Sequence, residues 1–315
     1  MPAAGHSRSL LASVIDQHRL RVALSPHTPR PTTGPAALGD ERMSTQSPWT
    51  ARTVAGAGVE LHCRDWAGAA QARPVLLLHG LAGHAGEWDA LAAALAPAHR
   101  VVAVDQRGHG RSTRRPGDLG RDAFVADVVA VADALGLERP LLVGQSLGGH
   151  TALLAAAAHP GRFAGVVLVE AAAGVSPDAP AEIGEMLAAW PVPFAQHASA
   201  VRFFGGGPLG VAWADGLEQR ADGWWPRFDP EVMVAALAEN AVRERWDDWA
   251  GAAHCPALLV FGQHGIIPAA DADRMLTLRP DVHAASLPGA GHDVHLEHPA
   301  ELHRLVAEFL HGLPA

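Results

Sequence analysis

The chain has 315 residues and a formal charge of −9, with 33 acidic side chains against 24 basic ones, all arginine. The charge balance and the lack of a basic run argue against nucleic acid or an anionic membrane as partner. No apolar run approaches the roughly 18 residues that a bilayer span requires. Two cysteines, Cys63 and Cys255, supply no disulfide framework; they read as small buried hydrophobes in a reducing, cytoplasmic compartment.

Residues 1–48 are rich in Pro, Ser, Thr and Arg, with one short apolar patch at Leu10, Leu11, Val14 and Ile15. They predict a disordered extension, or sequence lying ahead of a natural start at Met43. From Thr50 to Trp66 apolar and polar residues alternate around Gly56-Ala-Gly58, the pattern of a hairpin. Pro74-Val-Leu-Leu-Leu78 and Val101-Val-Ala-Val104 are continuous apolar runs, as strands covered on both faces require. Helices are expected over about 87–95 and 122–135, which separate these strands from the next.

Residues 139–151 then read as strand, sharp turn and helix. The turn is Gly144-Gln145-Ser146-Leu147-Gly148, entered from an apolar run and left through an alanine-rich helix. Glycines two positions either side of the serine remove Cβ atoms that would collide, so Ser146 can be held in a strained conformation with its hydroxyl projecting. Gly-x-Ser-x-Gly recurs by chance in glycine-rich chains; the strand before it and the helix after it give it weight. In this context the stretch resembles the nucleophile turn of the α/β-hydrolase superfamily.

The alternation continues with Gly165–Val169, which closes on Glu170, and after a break with strands at 256–261 and 282–287 and helices near 269–278 and 299–310. Alternating strands and helices predict an α/β fold with a mainly parallel sheet flanked by helices, with ligands at the carboxyl ends of its strands. The resemblance implies eight strands and a helical lid after the sixth. The expected divisions are a core of 49–173 and 251–315 and a lid of 174–250. The lid stretch is rich in Pro and Gly and holds six of the nine tryptophans.

A serine hydroxyl needs a base, a carboxylate orienting that base, and donors for the developing oxyanion. The family places its histidine between the last strand and last helix; there Gly289-Ala-Gly291 leads into His292, preferred over His295, His298, His303 and His311. The family's usual acid lies in Gly-x-x-Asp-x-x-x-Pro, but this chain reads Gly262-Gln-His-Gly265-Ile-Ile-Pro268, with glycine at the acid's place. Some members carry the acid at the end of the sixth strand, and Glu170 holds that position, ahead of Asp271 and Asp293 as a candidate. The resemblance also implies backbone N–H donors at Leu81 and Leu147, with His79 and His84 ordering the loop. Gln145, Trp88, Trp190, Trp224 and Trp225 are candidate pocket residues for a small, partly hydrophobic substrate.

The resemblance implies a serine hydrolase acting on an ester, thioester or lactone, without cofactor. The spacing His292-x-x-His295-x-x-His298 suggests a metal only superficially, because Pro299 interrupts a shared face, and no metal is expected. Alternatives on the same triad are carbon–carbon bond hydrolysis and cofactor-free peroxidation. A non-catalytic, ligand-binding protein would follow if Gly265 left the triad without its acid.

Overall fold

A computed structural model describes residues 48–314, apart from 70, 71 and 175. The expected disordered extension and the alternative start at Met43 lie outside the described residues. Strands β1 (Thr50–Ala55) and β2 (Glu60–Trp66) pair antiparallel, turning through Gly58 at φ +73°, a conformation that glycine adopts without strain. The following strands, β3 (Val75–Leu78), β4 (Val101–Val104), β5 (Leu141–Gln145) and β6 (Gly165–Val169), are buried at every position. Between them run α1 (Asp89–Leu95), α2 (Arg121–Ala134) and α3 (Leu147–Ala158).

After β6 the chain forms α4 (Ala179–Ala188), α5 (His197–Phe203), α6 (Gly207–Asp215), β7 (Leu217–Arg220), β8 (Gly223–Pro226) and α7 (Pro230–Ala241). The sequence reading expects helices alone in this stretch. Instead β7 and β8 close a separate two-stranded hairpin through Gly223, whose φ of +141° glycine accepts most readily. The chain then returns through α8 (Trp246–Gly251), β9 (Ala257–Gly262), α9 (Ala269–Leu278), β10 (His283–Leu287), a single turn α10 (Val294–Glu297), and α11 (Pro299–Gly312).

The main sheet has eight strands in the order β1-β2-β4-β3-β5-β6-β9-β10. All neighbours are parallel except β1 with β2 and β2 with β4. Successive side chains of one strand serve opposite faces: Leu76 and Leu78 join Val128 and Leu153 beneath α2 and α3. Val75 and Leu77 join Leu91, Leu302 and Val306 beneath α1 and α11. Each such fully buried side chain contributes roughly 1.5–3 kcal/mol, which is why the strands read as unbroken apolar runs. Trp246 and Trp249 belong to this main core; the Trp249 indole donates to Met275 O at 2.9 Å. Among the described residues no helix is long and apolar enough to cross a membrane.

Candidate active site

At the carboxyl end of β5 the backbone turns at Ser146 with φ 50° and ψ −115°, left-handed and costly for any residue but glycine. The flanking glycines make the turn possible by close backbone contact. A Cβ on Gly144 would lie 2.3 Å from Gly148 O, and one on Gly148 would lie 2.2 Å from Leu78 O. Ser146 is also tied to the neighbouring strand, its N–H donating to Val169 O at 2.9 Å.

The residue after Val169 is Glu170, a second non-glycine position at positive φ, 48°. Its N–H donates to Val260 O, and its side chain is buried across the end of the sheet. Oε1 accepts from Gly262 N–H at 2.7 Å and Oε2 from Ile266 N–H at 2.8 Å. His292 Nδ1 faces Oε2 at 3.4 Å. The carboxylate lies where a side chain at 265 would stand, since a Cβ on Gly265 would fall 2.1 Å from Oε1. Of the other candidate acids, Asp293 accepts from the Trp213 indole at 3.0 Å. Asp271 sits in the first turn of α9.

Among the described residues no hydrogen bond joins Ser146 Oγ to His292. The side-chain amide of Gln145, next along the chain, meets His292 instead: Nε2 donates to the ring Nε2 at 3.1 Å and to His292 O at 3.1 Å. An amide donor there requires the ring proton to sit on Nδ1, the tautomer that faces Glu170. Gly80 lets Gln145 in, because a Cβ on Gly80 would lie 2.1 Å from Gln145 Oε1.

The loop after β3 is held by its histidines. His79 Nδ1 donates to Gly80 O at 2.7 Å, and Nε2 accepts from Gln106 N–H at 3.0 Å. Burial drives the His79 pKa down to about 3, so the ring is neutral, as this pair of bonds needs. His84 Nδ1 accepts from Gly86 N–H, and its Nε2 donates to Ala212 O of α6 at 3.0 Å. Leu81, between them, packs partly buried with Trp190, Trp213 and Phe228 of the insertion. Leu147 N–H opens α3 and, as a first-turn amide, has no intrahelical acceptor.

Of the tryptophans read as pocket residues, Trp190 alone packs in the cluster that holds Leu81. Trp88 is fully buried in the core and packs on His295 at 4.6 Å. Trp224 and Trp225 stand on β8, against Phe194 and His197 and against Arg220 and Asp222 respectively. The sequence reading also misses a buried pair behind the site, Glu87 Oε2 and His295 Nε2 at 3.4 Å. Only the carboxylate-to-histidine spacing across the folded chain could reveal it. Among the described residues no group of three His, Cys, Asp or Glu side chains is placed to hold a metal ion.

The profile of the family described as alpha/beta hydrolase fold matches residues 73–299. The chain belongs to the α/β-hydrolase family. This α/β-hydrolase is 29% identical over 249 residues to N-formylmaleamate deformylase of Pseudomonas putida, covering 76% of this chain and 88% of that protein. It is 34% identical over 181 residues to non-heme chloroperoxidase of Streptomyces lividans. That match covers 53% of this chain and 64% of the relative, so the chain spans just under two thirds of the relative's length. Among solved structures, E-2-(acetamidomethylene)succinate hydrolase shares the fold at TM-score 0.76 and 22% identity, covering 84% of this α/β-hydrolase and 100% of that chain.

Proposed function

We propose that this α/β-hydrolase cleaves an ester, thioester or lactone of a small, partly hydrophobic substrate through Ser146, His292 and Glu170. The observation that carries the reading is the Glu170 carboxylate, which fills the space left by Gly265 and faces His292 Nδ1 at 3.4 Å. Ser146 Oγ attacks the acyl carbon while His292 Nε2 takes its proton, and Glu170 stabilises the imidazolium that forms. The N–H groups of Leu81 and Leu147 receive the oxyanion, each worth on the order of 3 kcal/mol in the transition state. His292 then returns the proton to the leaving group, and water repeats the sequence to release the acid. In the resting site the Gln145 amide meets His292 Nε2 at 3.1 Å and must yield that nitrogen to Ser146 Oγ for the transfer.

The insertion between β6 and β9 serves as the lid. Its aromatic residues Trp190, Trp213 and Phe228 pack with Leu81, itself a proposed oxyanion donor, and Phe204 backs Trp190, which supports a substrate with an apolar part. Cys63 and Cys255, both free and buried, support a reducing, cytoplasmic setting. The likeness to a chloroperoxidase favours a second reading, in which hydrogen peroxide replaces water at the acyl-enzyme and a peracid leaves.

A fluorophosphonate probe tests the central claim, since it reacts with an activated serine. Labelling is expected in the full chain and lost in Ser146→Ala. An unlabelled native chain, or labelling that survives in Ser146→Ala, would overturn the assignment.

A further inference from the structure

One helical turn beyond the serine, a second polar cluster takes no part in the triad. His150 follows Ser146 by four residues and its N–H donates to Ser146 O at 2.9 Å, which puts its backbone about 6 Å further along the α3 axis. His150 is only 3% exposed, and neither ring nitrogen has a partner among the described residues.

Arg121, the first residue of α2, reaches across α3 to the same place. Its Nη2 donates to Thr151 Oγ1 at 2.6 Å and to Leu147 O at 3.3 Å, and its guanidinium lies 4.6 Å above the Phe124 ring. At 3% exposure its Nε and Nη1 are left without partners among the described residues. Arg245 enters from a third side, ahead of α8, with its backbone N–H on Ala173 O at 2.8 Å. Its Nε is likewise unpartnered, while Nη1 reaches Asp248 at 3.5 Å. Among the described residues no carboxylate contacts Arg121 or His150.

A guanidinium taken out of water normally gains a carboxylate in exchange, and a buried N–H without an acceptor costs about 1–3 kcal/mol. Here two arginines and a histidine share one interior with several donors unused. Burial, then the charges of Arg121 and Arg245, hold the His150 ring neutral, so it brings one further N–H without adding a third repelling charge. What would satisfy all three is an acceptor carrying one negative charge.

We propose that Arg121, His150 and Arg245 form a binding site for a small carboxylate anion beside the nucleophile's helix. The site lies one turn from Ser146, so a carboxylate on the acyl chain of the substrate can fill it, and that substrate assignment rests on the hydrolase reading. A free carboxylate such as acetate has the same chemistry and would fill it independently of any reaction.

Thermal unfolding of the full chain in acetate, against HEPES at equal ionic strength, reads the site directly. At ten times its dissociation constant acetate is expected to raise the unfolding temperature by roughly 3 °C, and this gain vanishes in Arg121→Gln. Should that variant not fold, Arg245→Gln, changed at the edge of the cluster, is expected to reduce the same gain. The source is read from nitrophenyl esters of glutaric and pentanoic acids, whose acyl chains match in length. A substrate carboxylate gives the glutarate ester a KM lower by roughly tenfold, an advantage lost in the variants. Equal KM values together with acetate stabilisation support the site with a free anion as its occupant. No stabilisation by acetate and no preference between the esters would overturn the proposal. If neither ester is cleaved and Ser146 resists labelling, the hydrolase reading fails, while the acetate measurement still decides the site.

Discussion

The Glu170 carboxylate occupies the volume that a side chain at Gly265 would need, with a Cβ there falling 2.1 Å from Oε1 and 2.2 Å from Oε2. The two positions end neighbouring strands, and one acid can be supported from either, but not with side chains at both. Gly265 lies outside the left-handed region, so Gly265→Ala tests space alone. The added methyl is expected to displace the carboxylate and lower kcat on nitrophenyl acetate by roughly a hundredfold, short of the ~10⁴-fold expected for Glu170→Gln. The double variant should be no worse than Glu170→Gln, because both changes act through one contact. Native turnover in Gly265→Ala would require another acid.

Stability should depend on pH through Glu87 and His295. Both side chains are buried, and burial raises the Glu87 pKa from 4.5 to about 8 and lowers that of His295 from 6.5 to about 4. At neutral pH the pair is a protonated carboxyl facing a neutral ring. In the unfolded chain Glu87 loses its proton near 4.5, whereas the folded chain keeps it until about 8, so its contribution is full below 4.5 and lost as pH rises to 8. His295 runs the other way, its contribution lost as pH falls from 6.5 to 4. Urea midpoints across pH 4–9 should therefore show Glu87→Gln gaining on the native chain toward pH 8, with little difference below pH 5. Parallel curves for the two proteins would refute the assignment of protons.

We propose that Gln145 is a positioning residue for His292. Gln145→Leu removes both amide bonds to the ring and its carbonyl at about equal volume. Its kcat on nitrophenyl acetate is expected to fall by roughly tenfold or more with KM nearly unchanged, as misplacement of a base affects the chemical step. A change confined to KM would place the amide among substrate contacts instead.

What the sequence disclosed follows from how local each constraint is. The turn at Ser146 is legible because both of its glycines lie within two residues of the serine, although only Gly144 is forced by backbone of the turn itself and Gly148 is forced by Leu78 of β3. Glu170 is legible from its place at a strand end, read together with the glycine at 265. The insertion is less legible because no single period runs through it. Its apolar residues divide between a cluster with Leu81 and another around Phe194, so Trp190 packs with the first and Trp224 with the second, while Trp225 meets Arg220 and Asp222 instead. Trp88, near the first loop in sequence, is carried inward to meet His295 across more than 200 residues of chain, a contact no local pattern encodes.

The same long reach links the insertion to the loop that carries the proposed base. The Trp213 indole of α6 donates to Asp293 Oδ2 at 3.0 Å, and Asp293 follows His292 directly. Trp213 also stacks on Phe204 at 5.8 Å and meets Trp190 edge-on at 6.2 Å, so aromatic packing fixes the donor. Trp213→Phe keeps much of that packing and deletes the N–H, which isolates a hydrogen bond to a charged group of about 1.5–3 kcal/mol. If the bond holds the insertion over the site, the variant should raise KM several-fold, speed proteolytic cleavage within residues 179–241, and leave the main unfolding transition within a few degrees of the native one. Unchanged KM and unchanged cleavage would mean that the insertion is held by its apolar contacts alone, and the indole bond would then be incidental to substrate capture.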